Sequence, residues 1–130
     1  YGEKINILAA DSLGYCYGNS EKILKDAEWS GCSAGCYIAG IEENGNVKGC
    51  LSLQDDYFTA GNVKKRSLID IWNDDSSFTY TRKYDVSKMT GYCADCESKK
   101  DCRSGCLGMA YSLGGSIYEN PYCYKRITGN

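Results

Sequence analysis

The chain contains no histidine. That absence removes the Ser-His and Cys-His pairs on which much nucleophilic catalysis rests. No Gly-rich phosphate loop follows an apparent strand, and Asp11, Asp55 and Asp56 are loop acids without a general acid or base to pair with. Long apolar runs are missing too. The stretch INILAA near the start is far short of a membrane span. No Lys/Arg-led apolar segment reads as a signal peptide, so a cytoplasmic location is the expectation; the opening residue, Tyr1, reads as part of something longer. Leu, Ile, Val and Phe make up only about 17% of the chain, below the ~20% at which disorder becomes plausible. A net charge of −2 rules out a disordered polyelectrolyte, so something other than an aliphatic core must help staple the fold.

What the chain does have is 9 cysteines, 12 tyrosines and 2 tryptophans in 130 residues, about one domain. An odd cysteine count without a secretory segment weighs against a disulfide framework, although spacing alone does not fix redox state. Around the cysteines the pattern reads as α+β with long loops. EKINILAAD (3–11) suggests a short buried strand, and Ser20 a cap for a helix over about 20–28. Asn44-Gly45 lies within a β-hairpin over about 37–53, with a type I′ turn expected and with Gly40 and Gly49 leaving room for close approach. GN at 61–62 reads as a turn. Ser67 caps a helix over about 67–73 with Leu68, Ile71 and Trp72 as its apolar stripe. Residues 74–90 look polar and irregular, 102–113 looks helical, and Asn120-Pro121 turns the chain toward Cys123.

Cys93 and Cys96, three apart, can enter one tight turn, and Cys102 and Cys106 lie one helical turn apart. Soft thiolates at such spacing suit zinc and iron–sulfur clusters alike. Locally the pattern says metal and not which metal.

Seen whole, the register Cys32-x12-Gly45-x4-Cys50, a gap, then Cys93-x2-Cys96-x5-Cys102-x3-Cys106-x16-Cys123 resembles the SPASM domain, the C-terminal module of many radical S-adenosylmethionine enzymes that mature peptides or proteins. CSAG at 32–35, NGNVKGC at 44–50, GNVKKRSLIDIW at 61–72 and NPYC at 120–123 extend the likeness over roughly 29–126. The resemblance implies two auxiliary [4Fe–4S] clusters. Cys93, Cys96, Cys102 and Cys123 would hold the C-terminal one. Cys50 and Cys106 would hold the other, with one or both of Cys32 and Cys36, so that Cys102 and Cys106 serve different clusters. Cys36 departs from the simple CxAG pattern; as in the anaerobic sulfatase-maturating branch, it would close the first cluster and make it an electron relay rather than an open Lewis acid.

The same resemblance implies that residues 1–30 are the end of a preceding radical barrel and its linker, and 31–130 the SPASM module. The partners would be a peptide or protein substrate and that upstream barrel, with neither nucleic acid nor membrane. The Cys-x3-Cys-x2-Cys signature of the radical enzymes is absent, since Ala39 and Met109 occupy the third positions. S-adenosylmethionine would therefore bind only upstream, and no catalytic residue is expected here. Arg103 would donate hydrogen bonds near cluster sulfurs and raise a reduction potential. Lys64-Lys65-Arg66 and Lys99-Lys100 read as solvated charge. Cys16 reads as a half-buried free thiol, and the tyrosines as half-buried packing residues with one wet end. The competing reading is an interaction module with two four-cysteine zinc sites, with a secreted disulfide protein behind it.

Overall fold

The computed structural model describes residue 29 and residues 31–129. The expected strand at 3–11, the helix at 20–28 and Cys16 lie outside the described residues. Within them a small three-stranded antiparallel sheet, in the order β1-β2-β3, is surrounded by short helices and long loops. β1 (Gly40–Ile41) pairs with β2 (Asn46–Lys48), placing Gly40 opposite Lys48 and Ile41 opposite Val47. The turn between them departs from the expected type I′. Gly45 donates to the Glu42 carbonyl, and of Asn44 and Gly45 only Gly45 has a positive φ, +93°. A one-turn reversal followed by a left-handed glycine is the next most common hairpin solution.

β3 (Thr59–Asn62) completes the sheet, with Gly61 opposite Val47 and an irregularity beside Lys48. The expected turn at 61–62 is therefore a strand, and the chain reverses just after it, where the Lys65 N–H reaches back to the Asn62 carbonyl. A 3₁₀ turn, Asp56–Phe58, leads into β3, with the Asp55 carboxylate accepting from the Tyr57 N–H. Val47 and Lys48 are both essentially inaccessible, so β2 is covered on both sides. The buried Lys48 ammonium pairs with Glu42 at 2.9 Å and also donates to the Gln54 carbonyl.

α1 (Leu68–Asn73) starts where the sequence indicates, with the Ser67 hydroxyl accepting from the Asp70 N–H. Its stripe is narrower than expected, because Ile71 is buried whereas Leu68 is exposed and Trp72 half-exposed. α2 (Thr79–Arg82) and a 3₁₀ turn at Val86–Lys88 occupy the stretch expected to be irregular. α3 (Gly91–Ala94), α4 (Lys99–Cys102), α5 (Leu107–Gly114) and α6 (Tyr124–Thr128) follow. The single helix expected over 102–113 is thus two. Arg103, Ser104 and Gly105 all have positive φ, at +49°, +63° and +66°. L-residues resist that conformation, and three in succession end α4 and re-aim the chain before α5.

Ala34, Val47, Leu53, Phe58, Ile71, Phe78, Tyr80, Leu107 and Ile117 form the core. Phe58 is its hinge, meeting Tyr80 and Tyr111 edge-on at centroid distances of 5.0 and 4.7 Å. The tyrosines do not share one role. Tyr80 is buried, and Tyr84, Tyr111 and Tyr118 are half-buried, whereas Tyr37, Tyr57, Tyr122 and Tyr124 are exposed. No helix among the described residues is long and apolar enough to cross a membrane.

Candidate metal centre

The segment that begins Cys32-Ser-Ala-Gly-Cys36 folds into a compact turn. The Ser33 carbonyl accepts from the Cys36 and Tyr37 N–H groups, and Gly35 donates to Ile38 at 2.8 Å. Ala34 is in the core, and Gly35 has φ +72° with Phe78 so close that a Cβ would fall 2.3 Å from the Phe78 Cβ. Only glycine fits both conditions.

α2 clamps this turn from outside. The Thr81 hydroxyl lies 2.6 Å from the Ala34 carbonyl, and Arg82 Nε donates to the Gly35 carbonyl at 2.7 Å. Arg82 is itself held between Trp72 and Phe78, 4.8 Å from each ring centre, and donates to the Trp72 carbonyl. Neither Thr81 nor Arg82 was singled out in the sequence. The i, i+4 spacing of Tyr80 and Tyr84 within FTYTRKY is the signal that could have revealed a packed helix there.

Eight described cysteines are free thiols, and the thiol charges felt at Cys32 and at Cys102 come from two different groups of them. Cys32 senses the charges of Cys106 and Cys50, while Cys36 joins Cys32 in lining a cavity of about 150 Å³ with Tyr84, Arg103 and Leu107. Burial pushes the Cys32 thiol up, against hydrogen bonds from the Ala34 and Leu107 N–H groups. In the second set, burial and then the neighbouring Cys123 and Cys93 push the Cys102 thiol up to about 12. Burial likewise raises Cys93, opposed by the Asn120 N–H, which donates to its sulfur at 3.5 Å, and reinforced by Cys123, Glu119 and Cys96.

The left-handed run at 103–105 separates the two sets, with Cys102 ending α4 and Cys106 preceding α5. Cys106 and Cys123 both occupy N-cap positions without making a side-chain cap bond. Arg103 donates through Nε to the Lys100 carbonyl and lies against Gly31, on the cavity shared by Cys32 and Cys36. Trp29 donates to the Cys102 carbonyl and so ties residue 29 to the second set.

A family model for an iron–sulfur cluster-binding domain, SPASM, matches residues 32–97, about half of the chain. The chain belongs to the SPASM family. It is 32% identical over 102 residues to the AdoMet-dependent heme synthase of Methanosarcina barkeri, covering 78% of this chain and 28% of that protein. It is 30% identical over 84 residues to the mycofactocin maturase MftC of Mycobacterium tuberculosis, covering 64% of this chain and 21% of that protein. Among solved structures it aligns with anSMEcpe with bound AdoMet, at 17% identity, 86% of this chain, 28% of that chain and a TM-score of 0.47. It also aligns with anSMEcpe bound to AdoMet and the Kp18Cys peptide, at 21% identity, 85% of this chain, 31% of that chain and a TM-score of 0.46. This SPASM chain thus spans about a quarter of the length of the curated relatives it matches.

As a SPASM member it is an iron–sulfur cluster-binding domain, and its residues fit such a group. Each set supplies soft sulfur donors, and burial disfavours the anions of Cys32 in the first and of Cys93 and Cys102 in the second until a cationic core replaces their protons. Among the described residues, no three Cys, Asp or Glu side chains are arranged to hold one metal ion.

Proposed function

We propose that this domain holds two [4Fe–4S] clusters that relay electrons and help dock a peptide or protein substrate for a radical S-adenosylmethionine enzyme. Residues 1–30 would be the exit from that enzyme's catalytic barrel, S-adenosylmethionine would bind upstream, and the whole would work in the cytoplasm. Cys32, Cys36, Cys50 and Cys106 are the ligands of the first cluster; Cys93, Cys96, Cys102 and Cys123 are those of the second. The reading is carried by the gathering of free thiols from far-apart segments into two sets.

Within it, this chain's residues have definable tasks. Cys36 closes the first site, leaving no ligand position for substrate. The guanidinium of Arg103, on the Cys32–Cys36 cavity, offsets the negative charge of the thiolates and donates toward sulfur. N–H groups of Ala34, Leu107 and Asn120 do the same from the backbone. The clusters, when bound, supply one-electron carriers that an all-organic domain lacks.

Anaerobic purification followed by iron, sulfide and zinc analysis tests this. A brown protein with about eight iron and eight sulfide per domain, beyond any upstream cluster, is the expected result. A colourless protein carrying zinc would overturn it. Cys36→Ala should change the iron content and spectrum of the first cluster; an unchanged spectrum would reopen that site.

A further inference from the structure

Tyr80 is buried in the core, 6% exposed, with its ring edge-on to Phe58. Its hydroxyl accepts a hydrogen bond from the Gly49 N–H at 3.1 Å. Gly49 directly precedes Cys50. A Cβ there would fall 2.5 Å from the Tyr80 hydroxyl and 2.6 Å from the Gly35 nitrogen. The phenol oxygen therefore sits where the backbone before Cys50 meets the backbone between Cys32 and Cys36. These three cysteines are also the charges it senses, after burial itself.

The Gly49 bond uses a lone pair of the phenol oxygen and leaves its proton free. Among the described residues no acceptor takes that proton. A buried donor without a partner is uncommon in folded proteins and calls for a reason. An ordinary phenol already keeps its proton at physiological pH. Tyr84, beside the second set, differs: it donates to the Ile117 carbonyl and shares a bond with the Ser104 hydroxyl, so its proton is spent on the protein.

We propose that the Tyr80 hydroxyl donates a hydrogen bond to a sulfur of the iron–sulfur centre held by Cys32, Cys36, Cys50 and Cys106, and raises that centre's reduction potential. The inference rests on the ligand assignment above. Reduction adds negative charge to the core and its sulfurs, so a fixed donor stabilises the reduced form more than the oxidised one. Beside the second set the Tyr84 proton is already committed to the Ile117 carbonyl, so Tyr80 makes the two centres unequal.

The test is an EPR-monitored redox titration of the iron-loaded protein under anaerobic conditions, with Cys50→Ala and Cys123→Ala assigning each signal to its centre. Tyr80→Phe is expected to move the first centre's midpoint to more negative potential while iron, sulfide and the second midpoint stay unchanged. Site-specific 3-fluorotyrosine at position 80, a stronger donor of nearly the same shape, should move it the other way. Unchanged midpoints in both variants, with iron retained, would overturn the role of Tyr80 and leave the ligand assignment standing. If Cys50→Ala and Cys106→Ala leave the iron content intact, the assignment fails and the Tyr80 inference with it. Should Tyr80→Phe lose iron, the fluorotyrosine variant decides: a positive shift supports the donor, and no shift refutes it.

Discussion

Gly35→Ala is the most informative single substitution, because two separable penalties act on one atom. The backbone at Gly35 is left-handed, φ +72°, which costs an L-residue roughly 1–2 kcal/mol. The new methyl would also fall 2.3 Å from the Phe78 Cβ and 2.4 Å from its Cγ. Phe78 cannot retreat easily, since it is buried and packs against Trp72 at 5.7 Å with the Arg82 guanidinium over its ring. Forced overpacking of this kind adds about 1–3 kcal/mol. The expected total is about 3 kcal/mol, or a fall of roughly 10 °C in the midpoint of unfolding for a domain of this size. Gly115→Ala is the control, with nearly the same φ, +71°, and nothing within 4 Å of the added atom. It should lose only the backbone part. Thermal scans followed by circular dichroism, at matched iron loading, give the comparison. Combining Gly35→Ala with Phe78→Ala should cost less than the two singly, since the collision is then gone. Equal losses for Gly35→Ala and Gly115→Ala would refute the reasoning.

Thr81→Val keeps the side-chain shape but removes the hydroxyl beside the Ala34 carbonyl; a loss of about 1–2 kcal/mol in denaturant unfolding is expected, and no loss would mean that the contact is idle. Glu42→Gln should destabilise more than Lys48→Met, because the former strands a buried ammonium while the latter leaves a carboxylate that water can reach; the reverse order in the same assay would contradict the burial of Lys48. The Ser76 hydroxyl, then its N–H, then Arg66 hold the Asp74 carboxyl down to about 2. Being depressed, this group contributes stability above its unfolded value near 4 and loses it as pH falls toward 2; side-chain NMR should find its midpoint there, and Asp74→Asn should flatten the pH dependence in that window.

The legible parts of this fold were those with local chemistry. Ser67 announces α1, because a side-chain oxygen at that position satisfies an orphan N–H. Asn44-Gly45 announces a reversal, although the sequence does not distinguish the two turn geometries that a glycine permits. The cysteine register and CSAG point to the family before any coordinate is known. Other features depend on distant partners. β3 contains Gly61 and Asn62, which read as breakers, yet a Cβ on Gly61 would fall 2.9 Å from Ile71 Cγ1; its bareness makes room for α1. α2 opens on Phe78 in a left-handed conformation without a side-chain cap, so no sequence signal marks its start. The break at 103–105 places Arg103 and Ser104 where only Gly105 has a native inclination to go. The site reads in the same way: the thiols are visible in the sequence, whereas Thr81, Arg82 and Tyr80 acquire meaning only once α2 lies against the Cys32–Cys36 turn.

The left-handed triplet between Cys102 and Cys106 also bears on how this module can diverge. Arg103 lines the Cys32–Cys36 cavity and Ser104 is buried, so neither side chain is free to vary. Their number is fixed as well. Adding or deleting one residue would rotate Cys106 about the axis of α5 by roughly 100°, since a helix turns once every 3.6 residues, and would carry its sulfur out of the company of Cys32. Drift in this linker should therefore never show as a change of length.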